Sequence, residues 1–486
     1  MQRKNRIRKS NVGALGSSLL WSTLTPLLLA QFTGSVLAQN QSITPKRADS
    51  LVEAIGIQPV LPTGDNAQDH FARNVAYVNS LGIRHAVYSI PPLIPDVRSH
   101  ITSRQILYMA QHGIKSVVLS KLKVDGKGEY HHDEPTPPVY PSKYTSPPAD
   151  VVKVVKALGP GAVVEGVVGP NEYLVGSHND DPQAPAKLKS YMVALQSALA
   201  NDPATRKVPI IGPTLDPSPY VINPATGRPK GSKWSEIWDT SVQLDLSNFV
   251  NYGNVHIYDL PFDESKKGQQ DRNAWESRLY AYELAGYPRL GTDRFFMTET
   301  GFCTTPNLNA FRRAVSPTEQ ARYLPRQLLR YFKAGFKSIY IYQLQDRGTD
   351  RNDPEQCYGI ISADGTPKPA YFAVKRLLNM LAEPSGGLFQ PKSLKLSIET
   401  KSKTVDYMLF QKKSGEYILA LWNMVDSADA LNTPEEQVLV HLAKPARDAR
   451  LYDVVQSDQP QPLRQVNSDF AVPLGKDVLL LQFRSD

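Results

Sequence analysis

The chain reads as an α/β protein, a (β/α)8 TIM barrel followed by a small C-terminal all-β sandwich. Three observations predict this. Eight short apolar runs alternate with amphipathic stretches between residues 51 and 378, the rhythm of a closed parallel barrel. No glycine-rich phosphate turn follows the first run, which counts against the rival doubly wound open sheet. After Pro384-Ser385-Gly386-Gly387 the pattern switches from helical spacing to strict alternation, the period of a strand. The 486 residues, 41% of them apolar, suit one large domain plus a small one.

A leader precedes the fold. M-Q-R-K-N-R-I-R-K is basic, an apolar run centred on L-L-W-S-T-L-T-P-L-L-L-A follows, and V-L-A ends at Ala38. This is the layout of a secretory signal peptide over 1–38. Pro26 and several Ser and Thr break the run, which argues against the alternative of an uncleaved membrane anchor. The mature chain is then exported, periplasmic or extracellular, without stable membrane insertion.

The barrel is expected over 45–382. L-V-E-A-I-G-I (51–57) reads as its first strand. Phe71, Val75 and Val78 mark a helix face, with Gly82 as its stop. Strand two is I-R-H-A-V-Y-S-I (83–90); a helix over 101–113 and strand three, S-V-V-L-S (116–120), follow. A loop rich in Pro, Tyr and His covers 123–147, and a helix over 148–158 leads to strand four, V-V-E-G-V-V (163–168). Leu188, Met192, Leu195 and Leu199 mark the next helix, before V-P-I-I-G (208–212). Helices over 234–248 and 271–285 frame N-V-H-I-Y (254–258) and R-F-F-M-T-E-T (294–300). The next helix opens on Ser316 as N-cap, Pro317 at its first position and Glu319 closing a capping box. Pro325 is expected to kink it and Gly335 to end it. S-I-Y-I-Y (338–342) is strand eight, and A-Y-F-A-V-K-R-L-L (370–378) is the last helix. The sandwich is expected over 388–486, with strands at Leu394–Ile398, Y-I-L-A-L-W, V-L-V-H-L and V-L-L-L-Q-F.

Charge excludes some partners. Arg3, Lys4, Arg6, Arg8 and Lys9 lie in the leader, so its removal takes the formal net charge from +8 to +3. No basic stripe interleaved with aromatics remains, which speaks against nucleic acid. His131-His132-Asp133-Glu134 sits in the Pro-rich loop and reads as solvated surface, not as a metal site. Cys303 and Cys357, the two cysteines of the chain, lie in the loops after strands seven and eight. Those loops are neighbours, and an exported pair is expected to form a disulfide; two separate buried thiols are the alternative.

Active sites of such barrels lie at the C-terminal ends of the strands. Strand four runs into Gly169-Pro170-Asn171-Glu172, strand six ends in His256-Ile257-Tyr258 and strand seven ends in Thr298-Glu299-Thr300. Alone, G-P-N-E is a turn signal. Paired with Glu299 it places two carboxylates across the barrel mouth. Glycoside hydrolysis needs such a pair, one protonated to serve the leaving oxygen and one ionised to attack or to activate water.

Asn-Glu after strand four and Glu at the end of strand seven resemble the signature of the clan A glycoside hydrolases. T-E-T-G-F, Q-A-R-Y-L-P-R-Q-L-L, Y-I-Y-Q-L-Q-D and Y-G-I-I-S-A-D-G-T-P-K-P-A-Y-F-A-V-K-R-L-L extend the likeness to bacterial cellulase-like and family-39-like glycosyl hydrolases, chiefly over 163–382. The resemblance implies a retaining hydrolase of a poly- or oligosaccharide, with Glu172 as acid/base and Glu299 as nucleophile. Asn171 then binds the sugar 2-hydroxyl, and Tyr258 with His256 supports the nucleophile and the sugar. Arg84 and Tyr342 are further candidates for substrate contact, each weighed against a structural role; Asp346 and Arg347 are expected to pair with each other. The chain departs from relatives at Val87 and Tyr88, where they carry Arg and Asp, and at strand eight, where Tyr340, Tyr342 and Gln343 replace a tryptophan. A carbohydrate-binding protein without turnover and an envelope-glycan transglycosidase are the rival functions. The chemistry needs no cofactor and no metal.

Overall fold

The computed structural model describes residues 41–60, 67–120, 146–173, 184–215, 222–223, 228–229, 244–258, 286–305, 314–383, 387–425, 434–466 and 468–485. The expected leader, the 121–145 part of the long loop with Tyr130, Tyr140 and Tyr144, and the helices expected over 234–248 and 271–285 lie wholly or largely outside these residues.

The described chain begins with two short strands, β1 (Gln41–Ile43) and β2 (Lys46–Arg47), then α1 (Asp49–Ala54) and β3 (Ile55–Ile57). α2 (Ala67–Leu81), β4 (His85–Ser89), α3 (Ile101–Gln111), β5 (Lys115–Leu119), α4 (Pro148–Leu158) and β6 (Val164–Val168) continue the alternation. α5 (Ala184–Asn201) and β7 (Ile210–Ile211) follow, then a small antiparallel pair, β8 (Ile222–Asn223) and β9 (Arg228–Pro229). β10 (Gly253–His256), β11 (Phe295–Thr300), α6 (Pro317–Ala334), β12 (Ser338–Ile341) and α7 (Pro369–Leu381) complete the first unit.

The eight barrel strands hydrogen-bond in parallel in the order β10-β11-β12-β3-β4-β5-β6-β7. The segment before β10 closes the ring. Asn251 N donates to Ile210 O (2.8 Å), Gly212 N donates to Tyr252 O (2.8 Å), and Ile211 bridges Tyr252. Alternation along the strands sorts the side chains. On β4, Val87 faces the barrel interior with Val117, Leu119, Val168, Ile211, Phe296 and Tyr340. Its neighbours Ala86 and Tyr88 face the helices with Val118, Val167 and Met297.

The first strand is shorter than expected. L-V-E-A forms the last four residues of α1, and only Ile55–Ile57 is extended. A short apolar run fits either period, and here Leu51 and Val52 are fully buried from one helical turn while Glu53 points out. α6 has the expected capping box: Ser316 Oγ accepts from Glu319 N (3.1 Å) and Glu319 Oε2 accepts from Ser316 N (2.7 Å). Gly335, at φ 102°, ends it, and Pro325 is carried inside it without terminating it.

The second unit comprises β13 (Leu394–Glu399), β14 (Val405–Gln411), β15 (Tyr417–Asn423), β16 (Glu436–Leu442), β17 (Ala446–Asp453), β18 (Arg464–Val466), β19 (Asp469–Leu474) and β20 (Leu479–Ser485). Two five-stranded sheets, β1-β13-β16-β19-β18 and β17-β20-β15-β14-β2, pack around Leu396, Leu419, Leu421, Val440, Phe470, Leu481 and Phe483. Residues 41–47, N-terminal to the barrel, thus supply one edge strand to each sheet of the sandwich.

Candidate active site

The site forms where β6, β10 and β11 run out at one end of the barrel. Gly169 follows β6 where the chain passes against the next crossing. A Cβ there would lie 2.6 Å from Pro213 N and 2.9 Å from Met192 Sδ, so only glycine fits. Three residues on, Glu172 sits at φ 45°, in the left-handed region, with its N–H donating to Thr214 Oγ1 (3.0 Å). A residue with a Cβ loses roughly 1 kcal/mol in that conformation, and such outliers concentrate at functional sites. The turn turns the Glu172 carboxyl toward β10, while Asn171 beside it is exposed.

His256, the last residue of β10, lies between the two carboxyl groups. Its Nδ1 is 2.8 Å from Glu172 Oε1 and 3.6 Å from Glu299 Oε2. Tyr258 donates its hydroxyl to Glu299 Oε2 (2.8 Å). Glu172, Glu299, His256 and Tyr258 thus meet at one point.

A β-bulge explains how one strand delivers two adjacent side chains. β10 and β11 pair Val255 with Met297, but His256 with Glu299, so Thr298 is the extra residue. Bulges break the alternation and re-aim side chains. Both Thr298 and Glu299 consequently meet His256: Thr298 Oγ1 lies 2.9 Å from its Nε2. Asn254 fills the gap the bulge leaves. Its Oδ1 accepts from Thr298 N (3.2 Å) and its Nδ2 lies 2.9 Å from Thr298 Oγ1. Asn254 and Thr298 are fully buried. Period-two reading of N-V-H and T-E-T hides this pair, because the bulge is a register event between strands.

Electrostatics act on Glu299 from several sides. Burial pushes the Glu299 carboxyl up, and with the negative charge of Glu172 beside it the value reaches about 6, although His256, the Tyr258 hydroxyl and Arg347 all pull it down. Tyr258 itself stays a neutral phenol, held well above the usual tyrosine value by burial and by Glu299. It can therefore donate to Glu299 at any physiological pH. Ligand atoms of Glu172, His256 and Glu299 lie within 4.8 Å of one another. Glu172 Oε1 meets His256 Nδ1, and Glu299 Oε2 accepts from the Tyr258 hydroxyl.

Tyr342 stands behind this pair. Its ring meets Tyr258 and Tyr358 edge-on, with centroids 6.1 and 5.3 Å away, and its hydroxyl donates to Glu355 Oε2 (3.1 Å). It braces Tyr258 and is buried. Gly301, just past Glu299, allows the close approach, since a Cβ there would lie 2.2 Å from Tyr342 O. Arg347 is exposed, with its guanidinium 5.3 Å from the centre of the Tyr342 ring and its Nε donating to Gln343 Oε1 (3.1 Å).

Three expectations are corrected. Arg84 is remote from the site. It precedes β4, at the opposite end of the strands, and clamps Asp49 with two 2.8 Å bonds, which holds α1 under the barrel. Asp346 pairs with Lys368 (2.8 Å) and Arg351 (3.2 Å), not with Arg347; the buried lysine meets it where Gly359 N also donates (2.8 Å). Cys303 and Cys357 do come together beside Tyr342 and Tyr358, but as free thiols, not a disulfide. Cys303 hydrogen-bonds Cys357, which together with burial raises its own thiol pKa. Packing brings the sulfurs into contact; joining them is a separate oxidation. Among the described residues no helix is long and apolar enough to cross a membrane.

No family model matches the chain, and no curated protein matches it. Solved structures do. An enzyme of glycoside hydrolase family 39 from Xanthomonas axonopodis pv. citri superposes with a TM-score of 0.54 at 12% identity, over 92% of this chain and 98% of that one. A glucosidase from Croceicoccus marinus gives 0.53 at 12% identity, over 93% and 100%. A family 39 glycoside hydrolase from the gut symbiont Bacteroides cellulosilyticus gives 0.50 at 15% identity, over 91% and 83%. At such identities the likeness is one of fold, and barrel and sandwich match together: the chain has the architecture of the family 39 glycoside hydrolases.

Proposed function

We propose that the protein is an exported retaining glycoside hydrolase acting on a poly- or oligosaccharide. The observation that carries this reading is the spacing of two carboxylates at the barrel mouth, whose nearest oxygens lie within 4.8 Å. Retaining enzymes hold their carboxyl groups about 5 Å apart, whereas inverting ones need more than about 6.5 Å to admit a water. Glu299 is the nucleophile. Tyr258 holds its Oε2, which leaves Oε1 to attack the anomeric carbon as Glu172 protonates the departing oxygen. A water then attacks the glycosyl–Glu299 ester, with Glu172 taking its proton. Above about pH 6 Glu299 is ionised, as the first step requires. Asn171, exposed beside Glu172, is available to the sugar.

The test is a screen of glycans and aryl glycosides with Glu299→Gln and Glu172→Gln as controls. Turnover is expected to vanish in Glu299→Gln. It falls by about 10²-fold or more in Glu172→Gln on substrates with poor leaving groups. A fluorosugar is expected to leave a covalent adduct on Glu299 of the wild-type chain. No adduct and no turnover between about pH 4 and 8 defeats the hydrolase in favour of a binding protein. Product analysis with an added acceptor sugar separates hydrolysis from glycosyl transfer.

A further inference from the structure

Arg347 stands beside the two carboxylates, and the chemistry proposed above leaves it unused. It lies on the segment that follows β12, and that segment is held in place. Asp346 N donates to Ile361 O (2.8 Å), and the buried Asp346 carboxylate takes Lys368 Nζ and Gly359 N, each at 2.8 Å. From this fixed point the Arg347 side chain runs along Tyr342. Its Nε donates to Gln343 Oε1 (3.1 Å), and its guanidinium lies 5.3 Å from the centre of the Tyr342 ring. That ring meets Tyr258 at right angles, and the Tyr258 hydroxyl holds Glu299. Arg347 is therefore on the Glu299 side of the site. Its charge is felt there, since His256 and Arg347 both oppose the burial that lifts the Glu299 carboxyl.

Donors outnumber acceptors at this point. Among the described residues neither Nη1 nor Nη2 of Arg347 has a hydrogen-bond or ion-pair partner. Gln343 is buried, its Oε1 is spent on Arg347, and its Nε2 has no acceptor. The cations nearby are in a different state, because Lys368 and Arg351 are both engaged with Asp346 (2.8 and 3.2 Å). Arg347 is exposed, yet burial works against its charge while Tyr342, Glu355 and Glu299 favour it. An exposed group that the protein nonetheless desolvates lies in a recess open to water.

Two carboxylates repel an anion that comes between them. A neutral sugar needs no cation beside the nucleophile, whereas an acidic sugar needs one to offset Glu172 and Glu299. With Nε tied to Gln343, the free end of the guanidinium is its Nη1–Nη2 edge. Such a pair of donors suits a carboxylate or a sulfate held through two oxygens. We propose that Arg347 is a specificity-determining residue that receives an anionic group of the sugar, a uronate carboxylate or a sulfate ester, so that the substrate is an acidic poly- or oligosaccharide. The place of that sugar at Glu299 rests on the hydrolase reading. Because Arg347 lies on the Glu299 side, the charged unit is the one transferred to Glu299.

Matched sets of para-nitrophenyl glycosides test this. One set holds uronides, a second the hexosides that carry hydroxymethyl in place of carboxylate, and a third the same hexosides sulfated on that hydroxymethyl group. The wild-type chain is expected to show a higher kcat/KM on a charged set than on the neutral one, and the set it favours tells carboxylate from sulfate. Arg347→Gln is expected to lower kcat/KM on the favoured set by about 10- to 100-fold, the range of one charge-assisted contact, chiefly through KM. Arg347→Lys is expected to restore part of it, keeping the charge but not the fork. The neutral set should lose far less, so that the ratio of the two collapses. Equal losses on charged and neutral sets would mean that Arg347 only supports Tyr342 and Glu299, and would overturn the proposal. A wild-type preference for the neutral set overturns it as well. Calorimetry on the Glu172→Gln protein extends the test to longer glycans. Oligouronates or sulfated oligosaccharides are expected to bind about 10-fold or more tightly than their carboxyl-reduced or desulfated counterparts, and adding Arg347→Gln is expected to erase the difference. Equal binding of charged and neutral glycans counts against the proposal. Preferential binding without turnover of any glycan by the wild-type chain defeats the hydrolase reading and leaves the anion site standing; turnover of neutral glycans alone does the reverse.

Discussion

Glu299 carries two demands that pull against each other. As the proposed nucleophile it must be ionised, yet it is buried beside another acid, and its carboxyl is raised from 4.5 to about 6. The folded state therefore holds this proton more tightly than the unfolded chain. The stability it contributes is complete below about pH 4.5 and is lost as pH rises through about 6. A neutral isostere removes that loss. Glu299→Gln is expected to raise the melting temperature at pH 8, by about 1–2 kcal/mol of stability, with the gain gone at pH 4. Thermal melts of both proteins at the two values decide it. The same carboxyl is expected to set the acid limb of kcat/KM near pH 6, well above an ordinary glutamate. Much of this site was legible in the sequence, because carboxylates, a histidine and a tyrosine at strand ends are conspicuous against apolar runs. Arg84 misled because a charged residue flanking a strand looks alike at either end, and here it belongs to the bottom. Asn254 and Thr298 were hidden because their meaning comes from a bulge, which needs two strands in register.

At the level of elements, the alternation of eight apolar runs with helical faces was sufficient to locate every barrel strand, since each run must be buried between interior and helices. The exception, α1, is six residues long, too short for its period to declare itself. In the sandwich, β17 (A-R-D-A-R-L-Y-D) alternates poorly and was missed, as were β14, β18 and β19. α6 shows how an element supports the site. Its Gln320 Nε2 donates to Phe302 O (2.9 Å) and lies 3.3 Å from Gly359 O, tying together the chain past Glu299 and the chain past β12. The capping box fixes where that helix begins. Ser316→Ala is expected to cost about 1 kcal/mol in urea denaturation, with an unchanged m-value. An unchanged midpoint would mean that the cap is dispensable to the helix.

Across the whole molecule, the sandwich is fastened to the last two barrel helices by cations. Arg322 reaches Asp477 (3.2 Å), Arg326 donates to Asn423 O (2.5 Å) and Val425 O (3.0 Å), and Lys333 pairs with Asp406. Arg376 joins Asp458 (2.8 Å) and Val455 O (2.9 Å). β1 and β2 add a second tie, since the chain leaves the sandwich to enter α1. Strands of three and two residues carry no period, which is why the seam was invisible in sequence. Within the joint, Asp453 is out of balance. Burial, and the charge of Asp477 beside it, raise its carboxyl from 3.8 to about 7, against the N–H groups of Val455 and Gln456 that favour its charge. Its contribution to stability is present below about pH 3.8 and is lost as pH rises through about 7. Asp453→Asn keeps the oxygen that accepts from Val455 N (2.8 Å) and Gln456 N (3.1 Å) and removes the repulsion with Asp477. The variant is expected to melt above wild type at pH 8, by about 2 kcal/mol or more of stability, and to match it at pH 4. Because the acid sits where the two units meet, the gain should also appear as slower amide exchange along β17 and β20. A gain in melting temperature that is equal at both pH values would trace the effect to packing and not to the charge of Asp453.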